Sequence, residues 1–210
     1  MIDLPKKDKH GKSILSYSQI NLFLKDKNSF YKTYILKEPF YENKYMRFGS
    51  KVDKAIQDND YCLFTKQEKE SLSKVTRLDI FQKSVFINFD EFYMVGFIDT
   101  VSSDLTELID YKTGGVGKDE KYRGLDYTQL CYYAIGLKQE TGITPKKASV
   151  EFITREAKNN GLYVSNDPII KIDVDISQER LDYVYYETIK IAKDIEAFYL
   201  DYVKNVKSLK

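Results

Sequence analysis

Apolar positions along the chain change their period several times, and each change marks an element. Residues 1–15 hold no sustained apolar repeat and are expected to be a flexible lead. Ser16 or Ser18 can cap a helix that begins with Gln19-Ile20-Asn21-Leu22-Phe23-Leu24. Phe30, Tyr31, Tyr34 and Ile35 continue its apolar face as far as the break at Pro39. A second helix is predicted from about Phe48-Gly49, carrying Val52, Asp53 and Ile56, while residues 57–79 are polar with room for one short helix. The pattern then becomes strand-like: residues 84–89 and 92–98 read as strands joined by Asp90-Glu91, and 105–112 as a third. Gly114, Gly115, Gly117 and Gly124 predict a mobile, charged loop without core residues. A helix over about 126–140 places Leu130, Tyr133, Ala134 and Leu137 on one stripe and stops at Thr141-Gly142. Residues 148–154 form a strand, Asn159-Asn160-Gly161 a hairpin turn, and 169–174 part of the return. From Gln178, with Ser177 as its cap, a long helix keeps Leu181, Val184, Ile191, Ile195 and Phe198 in helical register. Helices, three strands, a helix, two strands and a helix suit an α/β fold in which a central mixed sheet is flanked by helices, as one domain over 16–210.

Chemistry concentrates at the strand ends. Gly96-Phe97-Ile98-Asp99 closes one strand and Leu108-Ile109-Asp110-Tyr111-Lys112-Thr113 closes the next. Residues i and i+2 of a strand share a face, so Asp110 and Lys112 point the same way and Asp99 can reach them across the hairpin. Two carboxylates beside an amine suit a hard divalent cation with a water-handling group next to it, which is the equipment of phosphodiester hydrolysis. Asp110 and Lys112 as a plain surface ion pair is the competing reading.

Composition narrows this picture more than it extends it. The chain has 210 residues, is 31% charged with both signs mixed, and carries a formal net charge of +1, so bulk charge does not by itself point to nucleic acid. Local basic clusters exist: Lys44, Arg47, Lys51 and Lys54 around the second helix, and Lys118, Lys121 and Arg123 after the third strand. These either position phosphates without reading sequence or are solvated charges. Cys62 and Cys131 are too few for a four-thiolate Zn or Fe–S site. With no secretory signal and no apolar stretch of membrane-spanning length, a reducing, intracellular and cytoplasmic setting is expected. The single histidine, His10, lies in the polar lead, which argues against a histidine-based triad. Gly117-Lys118 lacks the upstream glycine of a phosphate-binding loop.

Taken in order, these stretches resemble the RecB-type PD-(D/E)XK nucleases, a group that includes the nuclease domains of recombination helicases, CRISPR-associated exonucleases and phage exonucleases. Ser16-Tyr17-Ser18-Gln19-Ile20 through Phe30-Tyr31 is similar to the opening helix, and Phe48-Gly49-Ser50 to the turn before the metal helix. Gly96-Phe97-Ile98-Asp99 and Asp110-Tyr111-Lys112-Thr113-Gly114 resemble the two core motifs, and Gln129-Leu130-Cys131-Tyr132-Tyr133 the Gln-x-x-x-Tyr helix. The resemblance implies a metal-dependent DNA nuclease, an exonuclease before an endonuclease, working in DNA recombination, repair or phage DNA metabolism. It implies that Asp99 and Asp110 hold Mg²⁺ or Mn²⁺, with the Tyr111 carbonyl as a further ligand and Lys112 acting on the attacking water. Gln129, Tyr133, Lys118, Lys121 and Arg123 then support the site or the substrate strand. Asp53 stands where the family usually has histidine, and aspartate is also a hard-cation ligand. The Fe–S branch needs four cysteines, so no cluster is expected. The implied partner is DNA, single- or double-stranded; a helicase or recombinase partner and a homo-oligomer are compatible, and a membrane is not expected. Two rival readings stay open: a decayed nucleic-acid-binding or assembly subunit, and an unrelated hydrolase acting on a small phosphoester.

Overall fold

The computed structural model describes residues 2–159 and 161–207; Asn160 of the expected hairpin turn lies outside them. In chain order the elements are β1 (Ser13–Leu15), α1 (Tyr17–Lys25), α2 (Lys27–Phe30) running into a π turn (Tyr31–Ile35), α3 (Lys44–Asp58), α4 (Lys66–Leu72), β2 (Ile80–Asn88), β3 (Phe92–Val101), β4 (Glu107–Gly115), α5 (Asp119–Arg123), α6 (Thr128–Thr141), β5 (Lys147–Lys158), β6 (Gly161–Val164), β7 (Ile170–Asp173) and α7 (Gln178–Lys207). Ser16 caps α1, accepting from the Gln19 N–H, and Asn43 caps α3 through the Tyr45 and Met46 N–H groups. That asparagine starts α3 earlier than apolar spacing alone predicts. Among the described residues, no helix is long and apolar enough to cross a membrane.

The seven strands make one mixed sheet with helices on both faces, as the periodicity predicts. β4 lies centrally, antiparallel to β3 and parallel to β5, and is covered on both sides. Leu108 faces the layer of α1, α6 and α7, whereas Ile109 and Tyr111 face α3 and α4. This explains why the segment reads as nearly continuous apolar sequence interrupted by Asp110. Helix α6 is buried at every position from Leu130 to Leu137, wider than the single predicted stripe. It is a central helix, wedged between the sheet and α7.

Two expectations fail, both through long-range packing. The expected flexible lead is instead packed: Ile2 and Leu4 are buried, and β1 runs parallel to the start of β3, pairing Ser13 with Phe92 and Leu15 with Met94. These apolar residues are too sparse to give a period, yet each finds a site at the edge of β3. The glycine-rich loop, expected to lack core residues, contains α5, whose Tyr122 is buried and stacks on Phe152 with ring centroids 4.2 Å apart. Gly114 makes room for it, because a Cβ there would stand 2.5 Å from the Tyr122 ring.

Candidate active site

The site lies at a gap in the sheet. β2 pairs with β3 from Tyr93 to Val101, occupying one edge of that strand. The other edge is shared: β1 takes Phe92 to Met94, and β4 takes only Thr100 and Val101. Between them, residues 95–99 have no strand partner on that edge. The β3–β4 register, extended by one pair beyond Thr100↔Ile109, would set Asp99 opposite Asp110. The strands part there instead, and the Asp99 carboxylate takes up the free backbone, its Oδ2 accepting from the Tyr111 N–H at 2.8 Å. Gln82, across β2, is also out of regular pairing, with a left-handed φ of 50°, and its amide donates to Asp99 Oδ1 at 3.5 Å.

Into this gap project groups from three directions. Asp110 is 2% exposed, and its Oδ2 lies 2.7 Å from Lys112 Nζ. Lys112 Nζ also donates to Gln129 Oε1 at 3.4 Å, and the Gln129 amide donates to the Tyr133 hydroxyl. From the opposite layer, α3 brings Asp53. Together Asp53, Asp99, Asp110, Lys112, Gln129 and Tyr133 line one cavity of about 370 Å³. The side chain of Tyr111 points away, its hydroxyl donating to the Thr76 carbonyl at 2.6 Å, so only its backbone belongs to the gap.

The other expected residues are placed differently. Lys118, Lys121 and Arg123 lie at and along α5, outside the lining of this cavity, and Arg123 donates to the Lys171 carbonyl at 3.4 Å. Gln82 and Tyr17, which lines the cavity from α1, were not singled out by sequence reasoning. Gln82 carries no motif, and only its cross-strand position opposite Asp99 gives it significance.

Electrostatically the gap is short of positive charge. Burial and the Asp99 charge push Asp53 up to about 7, with Asp110 adding to the rise and Lys112 opposing it. Burial and Asp110 push Asp99 up to about 6, against the Tyr111 N–H and Lys112. Burial raises Asp110 in spite of its lysine. Burial alone would lower Lys112, but Asp110, Asp99 and Asp53 outweigh it and hold the ammonium above its ordinary value. Three carboxylates outnumber the two lysines that line the cavity, Lys112 among them and Lys6 at its wall, and this excess of negative charge fits a divalent cation in charge and in donor type. Among the described residues no three His, Cys, Asp or Glu side chains already form a compact ligand group. Mg²⁺, however, commonly needs only one or two carboxylates, with water and phosphate completing its shell.

A stability prediction follows from these shifts. A carboxylate whose folded pKa lies above its unfolded value binds more protons in the folded state, so stability falls as pH rises between the two. For Asp53 and Asp99 that window runs from about 4 to about 7. The cation-free protein should therefore lose on the order of 2 kcal/mol between pH 5 and pH 8, read as a Tm lower by several degrees. Asp53→Asn should flatten the slope, and Mg²⁺ or Mn²⁺ should raise Tm more at pH 8 than at pH 5. Differential scanning calorimetry checks this, and a Tm that rises from pH 5 to pH 8 without metal would contradict it.

Comparison with known proteins bears on the fold and the family. The structure resembles that of a candidate exonuclease from Eubacterium rectale, with a TM-score of 0.58 at 12% identity, over 91% of this chain and 84% of that one. This likeness establishes the fold. An alkaline exonuclease from Laribacter hongkongensis overlaps more loosely, with a TM-score of 0.47 at 13% identity, over 99% of this chain and 96% of that one. No curated protein matches the sequence. Residues 61–188, more than half of the chain and including β3, β4 and α6, match the PD-(D/E)XK nuclease superfamily, and the chain belongs to that superfamily.

Proposed function

We propose that the protein is a metal-dependent deoxyribonuclease, and an exonuclease, acting at the gap between β3 and β4. The observation that carries this is the convergence of Asp99, Asp110 and Lys112 with Gln129 behind the lysine, in a family of nucleases that generally use divalent metals. Asp99 and Asp110 would hold Mg²⁺ or Mn²⁺, with Asp53 and the Tyr111 backbone carbonyl as further donors. When bound, the cation supplies Lewis-acid polarisation of the phosphate and a more acidic water. Lys112, kept protonated by its carboxylate neighbours, orients the attacking water and offsets charge developing on the phosphate oxygens. Gln129 holds the lysine ammonium in place, and Tyr133 holds Gln129. Lys118, Lys121 and Arg123 would meet phosphates further along the strand. The exonuclease preference rests on the RecB-type resemblance. So do a role in repair, recombination or phage DNA metabolism and a helicase or recombinase partner.

The test is a digestion time course on end-labelled linear DNA and on covalently closed circular DNA, with Mg²⁺, with Mn²⁺ and with chelator, beside Lys112→Ala. Loss of linear DNA alone, dependent on metal and abolished by the substitution, is the expected result. Cutting of the circle would make the protein an endonuclease. Binding without cutting would leave a nucleic-acid-binding subunit.

A further inference from the structure

The N-terminal lead brings to the cavity in the gap a group that the mechanism above does not use. Lys6 lines that cavity together with Asp53, Asp99 and Asp110. The lead around it is a tight hairpin. The Lys6 carbonyl accepts from the Ile14 N–H at 3.0 Å, and Lys7 and Ser13 form an antiparallel bridge. The Asp8 carboxylate closes the turn, accepting from the His10 and Lys12 N–H groups at 2.8 Å each, and it also receives the Tyr93 hydroxyl of β3 at 3.1 Å. Leu4 is fully buried, and its N–H donates to the buried Ser13 Oγ at 3.2 Å. A hairpin tied at this many points holds the Lys6 backbone in one place.

Strand register puts Lys6 on the face that carries the site. Residues paired across neighbouring strands share a face, as do alternate residues of one strand. Lys6 lies opposite Ile14, Ile14 pairs with Tyr93, and Val95, Phe97 and Asp99 follow from Tyr93 on that face of β3. Lys6, Ile14, Val95, Phe97 and Asp99 all line the cavity. The face is open to water: Phe97 is 55% exposed, and Phe86, opposite Val95 on β2, is 52% exposed. From Tyr93 to Asp99 the strand runs roughly 20 Å, at about 3.3 Å per residue. Lys6 therefore stands at the far end of an open ledge that begins at the carboxylates.

The lysines of the lead differ in what holds them. Lys7 is matched by Asp3 and Ser13 at 2.5 and 2.6 Å, and Lys12 lies against the Tyr93 ring and the Asn88 side chain. Lys6 is exposed, and among the described residues its ammonium has no hydrogen-bond or ion-pair partner. The ammonium that acts on Asp53, Asp99 and Asp110 is that of Lys112. An uncommitted ammonium at the end of an open ledge suits an anion that arrives from outside. A lysine is a point charge, which meets a phosphate without reading a base. We propose that the Lys6 hairpin is a clamp for the substrate strand: Lys6 binds a backbone phosphate a few nucleotides from the scissile bond, and efficient cutting needs a strand long enough to reach it. The proposal rests on the nuclease reading above for the position of the scissile phosphate. It makes strand length a property that the enzyme selects.

The test compares wild type, Lys6→Ala, Lys6→Arg and Lys9→Ala with Mn²⁺ on a long linear DNA and on a dinucleotide. Binding of the labelled long DNA is read by fluorescence anisotropy in the Lys112→Ala background, where the DNA stays intact. On the long DNA, Lys6→Ala should raise KM about 5-fold, the worth of one charge pair in water, and move kcat far less. The slope of log affinity against log salt should shrink by about 1, as for one lost phosphate contact. Lys6→Arg should restore both. Lys9 is exposed in the turn of the same hairpin but outside the cavity lining, so Lys9→Ala removes the same charge and should behave as wild type. The KM effect should vanish on the dinucleotide, which cannot span the ledge. Equal KM and equal salt slopes for wild type and Lys6→Ala overturn the clamp and leave the nuclease standing. So does a loss of the same size on both substrates, or one shared by Lys9→Ala. If wild type cuts no DNA, the nuclease reading falls, and the clamp stands only if Lys6→Ala still weakens binding of the labelled DNA; equal or absent binding removes both.

Discussion

Asp110→Asn is expected to lower metal-dependent DNA hydrolysis by about 1,000-fold or more while leaving the protein at least as stable as wild type. The two effects have opposite signs because Asp110 is poorly placed as a charge in an empty site. It is 2% exposed, its carboxyl is raised by burial, and its one strong partner is Lys112 at 2.7 Å. A buried ionised group costs free energy that its ion pair returns only in part. Asparagine keeps the shape and removes the charge, and Lys112, with its side chain 39% exposed, can turn to water and to Gln129. The proposed cation, however, loses one of its two main carboxylates, and the Lewis-acid and water-activating contributions it supplies amount to several kcal/mol. Digestion assays with Mn²⁺ and thermal melts on the same preparations check both halves. Activity within tenfold of wild type would remove Asp110 from the proposed mechanism. Lost activity in a protein that also melts much earlier would mean that the carboxylate is structural.

Gly96→Ala is expected to cost about 1–3 kcal/mol of stability, the usual range for overpacking a core, and to lower activity about tenfold through residues that the glycine does not touch. A Cβ on residue 96 would stand 2.7 Å from Tyr133 Cε1 and 3.2 Å from Cδ1, with Val85 Cγ2 at 3.6 Å behind. Tyr133 is only 4% exposed and has little space to retreat. Its hydroxyl receives the Gln129 amide, and Gln129 in turn accepts from Lys112, so displacing the ring shifts the group that orients the lysine. For a chain of this size the loss corresponds to a Tm lower by about 2–12 °C. If steric contact is the cause, Tyr133→Leu in the Gly96→Ala background should recover part of the stability, and the pair should be clearly non-additive. It should not recover activity, since Gln129 then has no hydroxyl to hold it. Additive losses would place the effect in the backbone of β3 instead.

Amino-acid order alone determined most of the elements, though not β1 or α5, and singled out the residues of the proposed chemistry. The period-2 pattern put Asp110 and Lys112 on one face, and the short β3–β4 hairpin brought Asp99 within reach, because strand geometry and a tight connection are local. Ser16 and Ser177 marked helix starts for the same reason, since a cap bonds its own next turn. What lies between distant segments needed the tertiary structure. Nothing local foretells that β1 ends at Met94 of β3 and leaves residues 95–99 without a partner on that edge, nor that sparse apolar residues of the lead become buried. Nothing local places α3 and α6 on opposite faces of the sheet so that Asp53 and Gln129 line the same cavity. The charge state of the site is likewise a tertiary property. Asp53 and Asp99 are ordinary carboxylates in the chain, and they rise to about 7 and about 6 only because folding strips their water and sets like charges beside them. A second cavity beside the site is the extreme case. Tyr17, Tyr127 and Tyr183 stand far apart in the chain, and only the approach of α1 and α7 over β5 brings them to the lining of one cavity. Periodicity records which way each side chain points, whereas what it meets there depends on contacts between segments far apart in the chain.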